Sequence, residues 1–168
     1  MMPERLVVFA CGNPSRGDDA LGPEVLARLE AEQARRPDWA DIELVTDFQL
    51  QLEHALDLEG RGLALFIDAS VACPAPCGLA RVAPAQDTSY TSHALSPAAV
   101  LHVYEATTGR AAPPAFVLAV RGYAFELGEP LSDLAREHLK AAARLAIGLC
   151  ATPDPAHWDA LAGKWGHS

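Results

Sequence analysis

Apolar residues run unbroken from Leu6 to Cys11, stop at Gly12 and Asn13, and then return at helical spacing. The unbroken run, with its β-branched pair and Phe9, predicts a central strand covered on both faces. Leu21, Val25, Leu26 and Leu29 recur against Glu24, Arg28 and Glu32, which predicts a helix over 21–35. Pro23 fits only in the first turn of such a helix, and Pro37 closes it. A second strand is expected over 42–46. In "FQLQLEHALDLEG", Leu52, Ala55, Leu56 and Leu58 predict a short helix stopped by Gly60.

The stretch 62–69, "GLALFIDA", is again apolar until it meets Asp68, and predicts a second buried parallel strand with that aspartate at its carboxyl end. Prolines make "VACPAPCG" a loop, and 79–82 suits an edge strand. Ser96 as N-cap, Pro97 as first helical residue and Gly109 as terminator frame a helix with Val100, Leu101 and Tyr104 on one face. A fourth apolar strand over 115–120 and a long amphipathic helix over 131–149 follow. This alternation predicts a single-domain α/β fold, a mostly parallel twisted sheet with helices on both faces. The domain is expected over 1–150, with a tail over 151–168 whose Trp158 and Trp165 pack on the body. In sheets of this kind, ligands bind beyond the carboxyl ends of the strands, the edge that carries both Asp68 and the Asp18–Asp19 turn.

With 168 residues, half of them hydrophobic, the chain can bury one sizeable core. A net charge of −9 excludes nucleic acid and anionic membrane as partners, since both demand a basic face. The apolar run after Arg5 is too short for a signal segment or a membrane span, so a cytoplasmic protein is expected. Cys11, Cys73, Cys77 and Cys150 are irregularly spaced and are expected to be reduced thiols.

The turn "GNPSRGDDALG" poses the chemical question. A phosphate loop is disfavoured: Gly12, Gly17 and Gly22 are five apart, which matches neither dinucleotide nor P-loop spacing, and two aspartates would repel a polyanion. A cation explains the acids better. Asp19 and Asp68, brought together from separate strand ends, repel each other, and a divalent metal removes that penalty. His93, just before a capped helix, offers an imidazole, giving a mixed set suited to zinc, nickel or a similar ion with coordination positions left open. Simpler roles stand beside these: Asp18 or Asp19 as a helix cap, Asp68 as an ordinary strand end, and His93 as a cap or surface residue. His54, His102 and His138 fall on helical segments and are expected at the surface or half-buried. Cys73 and Cys77 lack a second ligand pair at zinc spacing, and Cys11 suits a small buried hydrophobe better than a nucleophile. No G-x-S-x-G elbow is present, and Ser70 has no sequence-evident base.

"GNPSRGDDALGPEV", "LFIDAS" and "TSHALSP" resemble, in that order, the three motifs of the [NiFe]-hydrogenase maturation endopeptidases. The resemblance implies that Asp19, Asp68 and His93 are the metal ligands and catalytic residues, with Asp18 a cap whose replacement by Asn leaves processing intact. It implies an aspartyl and metal-dependent endopeptidase that removes the C-terminal extension of the hydrogenase large-subunit precursor after nickel insertion. The nickel would arrive with the substrate's NiFe centre, and a monomer would suffice. "RGYAFELGEPLS" is similar to the branch serving NAD-coupled soluble hydrogenases. Two alternatives remain open: a chaperone of the same fold that checks the nickel centre without cutting, and a small-ligand or nucleotide-dependent α/β enzyme.

Overall fold

The structure, a computed structural model, describes residues 5–86 and 95–163. Strands β1 (Leu6–Cys11), β2 (Glu43–Asp47), β3 (Leu63–Ser70), β4 (Cys77–Val82) and β5 (Ala115–Arg121) form one sheet in the order β2-β1-β3-β5-β4. The first three and β5 run parallel, and β4 pairs antiparallel to β5 at the edge. The helices are α1 (Leu21–Gln33), α2 (Pro97–Thr108), α3 (Asp133–Ala151) and α4 (Pro155–Leu161), with 3-10 turns at Gly17–Ala20, Pro37–Trp39 and Leu52–Leu58. The chain is thus a single-domain α/β fold.

Alternate strand residues feed two cores. Leu6, Val8 and Ala10 of β1 face α1 and α3, while Val7, Phe9 and Cys11 face the 52–58 turn and α2. On the second face, Phe9 and Phe66, paired in register on adjacent strands, stack with ring centroids 4.9 Å apart. On the first, Trp158 of α4 is fully buried, meets the Phe116 ring at 5.3 Å, and donates its indole N–H to the carbonyls of Leu149 and Thr152. Residues 155–161 therefore belong to the body of the protein; Trp165 and His167 lie outside the described residues. No helix among the described residues is long and apolar enough to cross a membrane.

Several element ends shift from their sequence positions for local reasons. Ser132 caps α3 by accepting the Ala135 N–H, so the helix starts at Asp133. The segment 52–58 winds as a 3-10 helix, held at its start by reciprocal contacts between Gln51 and His54. Strand β2 runs one residue past Thr46, to Asp47.

The topology fixes where a ligand can sit. From β1 the chain crosses over α1 to β2 on one side, and from β2 it returns over the opposite face to β3 on the other side of β1. The connections diverge between β1 and β3, and that divergence opens the sheet at the carboxyl ends of these strands.

Candidate functional site

The turn after β1 is built so that α1 can start directly above the ends of β1 and β3. At Gly22, a Cβ would stand 2.5 Å from the Cys11 carbonyl oxygen and 3.1 Å from that of Ile67, so the approach requires glycine. Gly12 has φ 149°, and a Cβ there would meet the Asp19 carbonyl oxygen at 1.9 Å. Its N–H donates to the Asp47 carbonyl at 3.1 Å, tying the ends of β1 and β2 together. The intervening loop closes on itself: Ser15 N–H donates to Asn13 Oδ1, and Asp19 Oδ2 accepts the Asn13 N–H at 2.7 Å.

The adjacent aspartates diverge in role. Asp19 is half-buried and faces the loop that follows β1. Asp18 is fully buried and turns away, accepting the N–H groups of Tyr123 (2.8 Å), Ala124 (3.1 Å) and Ser132 (2.7 Å) and the Ser132 hydroxyl (2.8 Å). Burial alone would raise its pKa, but these four donors outweigh it and hold the carboxyl below the usual aspartate range. Neither aspartate caps α1, whose N-cap is Ala20 with no side-chain bond. The capping role expected of Asp18 is corrected to a brace that fixes the loop between β5 and α3 against the turn before α1.

Asp68 ends the buried part of β3 and opens onto solvent. Its carboxyl is pushed up to about 7, chiefly because the surrounding protein displaces part of its hydration; the Ala69 N–H, at 2.8 Å, pulls it down and the charge of Asp19 adds to the rise. Exposure of the residue tempers that cost. The structure thus brings Asp19 and Asp68 to one edge of the sheet, close enough for their charges to act on each other. His93 lies outside the described residues, which resume at Leu95, whose N–H donates to the Leu50 carbonyl at 3.1 Å. Among the described residues, no three of His, Cys, Asp and Glu gather tightly enough to hold a metal ion.

Sequence reasoning overlooked a third carboxylate. Asp47, paired in register with Cys11, stands at the same edge on β2. The signal was there: β2, like β3, runs into an aspartate. Cys11 reports the convergence, because its buried thiol is pushed up to about 12, by desolvation first and then by the charges of Asp68, Asp47 and Asp19. That excludes it as a ready nucleophile. His54, expected at or near the surface, is instead buried beside Asp47. The two oxygens of an Asp19–Asp68 pair suit a divalent cation, and the raised Asp68 pKa is the penalty such a cation would relieve.

Compared with known proteins, the chain matches no family model and no curated protein sequence. Its fold, in contrast, matches solved structures along most of its length. A [NiFe] hydrogenase maturation protease, HycI, from Thermococcus kodakarensis is 23% identical over 88% of this chain and 92% of its own, with a TM-score of 0.65. The hydrogenase maturating endopeptidase HybD from E. coli is 22% identical over 86% of this chain and 91% of its own, with a TM-score of 0.67. HybD from Thermococcus kodakarensis gives 18% identity, 87% and 99% coverage, and a TM-score of 0.62. At these identities the likeness is one of fold.

Proposed function

We propose that this chain is a hydrogenase maturation endopeptidase, which removes the C-terminal extension of a [NiFe]-hydrogenase large-subunit precursor once nickel has been inserted. The observation that carries the reading is the meeting of Asp19 and Asp68 at the divergence of β1 and β3, in a fold shared with solved maturation proteases. The two carboxylates, with His93 as third ligand, bind the nickel of the precursor's metal centre as part of the substrate. Nickel held there places the adjoining peptide within reach of a carboxylate able to take a proton from the attacking water. Asp19 or Asp68 serves as that base. The enzyme acts as a cytoplasmic monomer on one folded partner.

The test is to incubate the purified protein with nickel-loaded and nickel-free precursor and to read the precursor's intact mass. A single discrete loss of the extension, with nickel only, is expected. Asp19→Ala, Asp68→Ala and His93→Ala should each abolish the cut while leaving thermal unfolding cooperative. An unchanged mass with precursor that cell extract does process would reject the peptidase reading.

A further inference from the structure

With 22 acidic residues against 13 basic ones, the chain has carboxylates to spare for its cations. Arg35, Arg36, Arg61, Arg81 and Arg110 each pair with one. The arginines of one groove do not. This groove, of about 460 Å3 between α1 and α3, is lined by Arg28 of α1 and by Arg136 and Lys140 of α3, all three exposed, with Glu24 as the one acid. Lys140 pairs with Glu137 at 3.2 Å. Arg28 and Arg136 have no ion-pair partner among the described residues. Glu24, one helical turn before Arg28, does not close on it, and Arg136 makes only a long contact, 3.4 Å, with the Leu131 carbonyl.

Between these charges the lining is apolar: Ala20 and Leu139 are buried, Leu131 is half-buried, and Pro14 and Pro130 complete it. Pro14 and Ala20 belong to the turn that carries Asp19, so a chain lying in the groove runs up to the candidate site. A guanidinium without an internal partner presents its planar fork to a carboxylate from outside, and the apolar lining takes the rest of a peptide. Three cations with one acid among them match one or two carboxylates rather than a polyanion. We propose that this groove docks an acidic segment of the precursor, with Arg28 and Arg136 as specificity-determining residues that take its carboxylates. The inference rests on the processing reading and assigns that reading a substrate contact apart from the Asp19–Asp68 pair.

Steady-state cleavage of nickel-loaded precursor tests it. Both arginines are exposed, so their replacement by Gln should leave thermal unfolding unchanged. Arg28→Gln and Arg136→Gln should each raise KM about threefold to fivefold, the range of one exposed charge pair, and together about tenfold to twenty-fivefold, with kcat within about twofold of wild type. The gap between wild type and the double variant should narrow as salt rises. Arg110→Gln, which removes the same charge beyond the end of α2, should leave KM within about twofold of wild type. Changing the precursor's Asp and Glu residues to Asn and Gln one at a time should find one that raises KM for the wild type and has no further effect on the double variant. A double-variant KM within about twofold of wild type, a rise equal to that of Arg110→Gln, or the absence of any coupled acidic residue overturns the assignment. A wild type that fails to cut removes the processing reading and this inference with it, whereas a wild type that cuts while the double variant matches it removes this inference alone.

Discussion

Asp18→Ala strips a buried site of its acceptor and leaves four donors behind: the N–H groups of Tyr123, Ala124 and Ser132, and the Ser132 hydroxyl. A hydrogen bond to a charged group contributes about 1.5–3 kcal/mol, and stranding buried partners costs more than the bond itself returns. Water entering the vacated space offsets part of that loss, which brings the expected cost to about 3–5 kcal/mol. Against the stability of about 5–15 kcal/mol typical of a domain, this is a large fraction. It corresponds to a fall in Tm of about 6–20 °C for a chain of this size. Asp18→Asn separates charge from shape. With its amide oxygen at the Oδ2 position it keeps three donors, but its NH2 then faces the Ser132 N–H, donor against donor. A loss of about 1.5–3 kcal/mol is expected, while cleavage measured well below the variant's Tm stays near wild type.

Urea unfolding at neutral pH measures both losses, and a pH series supplies the sign. A carboxyl whose folded pKa is depressed adds stability above its unfolded pKa of about 3.9 and loses it as pH falls through the lower folded value. The gap between wild type and Asp18→Asn should therefore be constant above about pH 5 and close only in stronger acid. A loss below about 1 kcal/mol for Asp18→Ala, with an unchanged m-value, would refute the brace.

Three further outcomes follow from the same geometry. In metal-free protein, stability should decline between about pH 4 and pH 7, because folded Asp68, with its raised pKa, holds a proton that the unfolded chain has already released; Asp68→Asn should flatten that decline, and an unchanged pH profile would contradict the raised Asp68 pKa. Trp158→Ala, which empties a fully buried indole site, should cost about 3–5 kcal/mol by urea unfolding, and a loss under about 1 kcal/mol would show that α4 docks only loosely. Cys11 and Cys150, both with thiols pushed up to about 12, should resist alkylation in the native protein at about pH 8 and react on unfolding; rapid native labelling of Cys11 would reopen its candidacy as a nucleophile.

Local signals carried the fold a long way. β1 begins and ends where its apolar run does, because Gly12 interrupts it, and α2 keeps the frame set by Ser96, Pro97 and Gly109. Long-range contacts were the blind spot. The partners of Asp18 lie more than a hundred residues away, so the local pattern "DDALG" suggested a cap. Ending β2 at Thr46 hid Asp47 from the edge by a single residue. Helical spacing placed His54 outward, whereas the 3-10 winding and the Gln51 contacts turn it into the core.

What distinguishes the candidate ligands from the brace is how far each carboxylate is already satisfied. Asp18 has four donors, a depressed pKa and no contact with solvent, so it has nothing left to offer a ligand. Asp19 and Asp68 each accept one backbone N–H among the described residues, leaving most of their lone pairs free at the edge where β1 and β3 diverge. Lost hydration, with the nearby charge of Asp19 adding to it, pushes the Asp68 carboxyl up to about 7, an electrostatic cost that the fold carries. That cost persists because Gly12 and Gly22 let the turn and α1 approach the strand ends within distances no other residue tolerates. A fold that required only a turn there would have no use for the second aspartate. On the proposed function a cation would complete the under-satisfied pair, while the fully satisfied Asp18 ties the turn that carries Asp19 to the loop between β5 and α3.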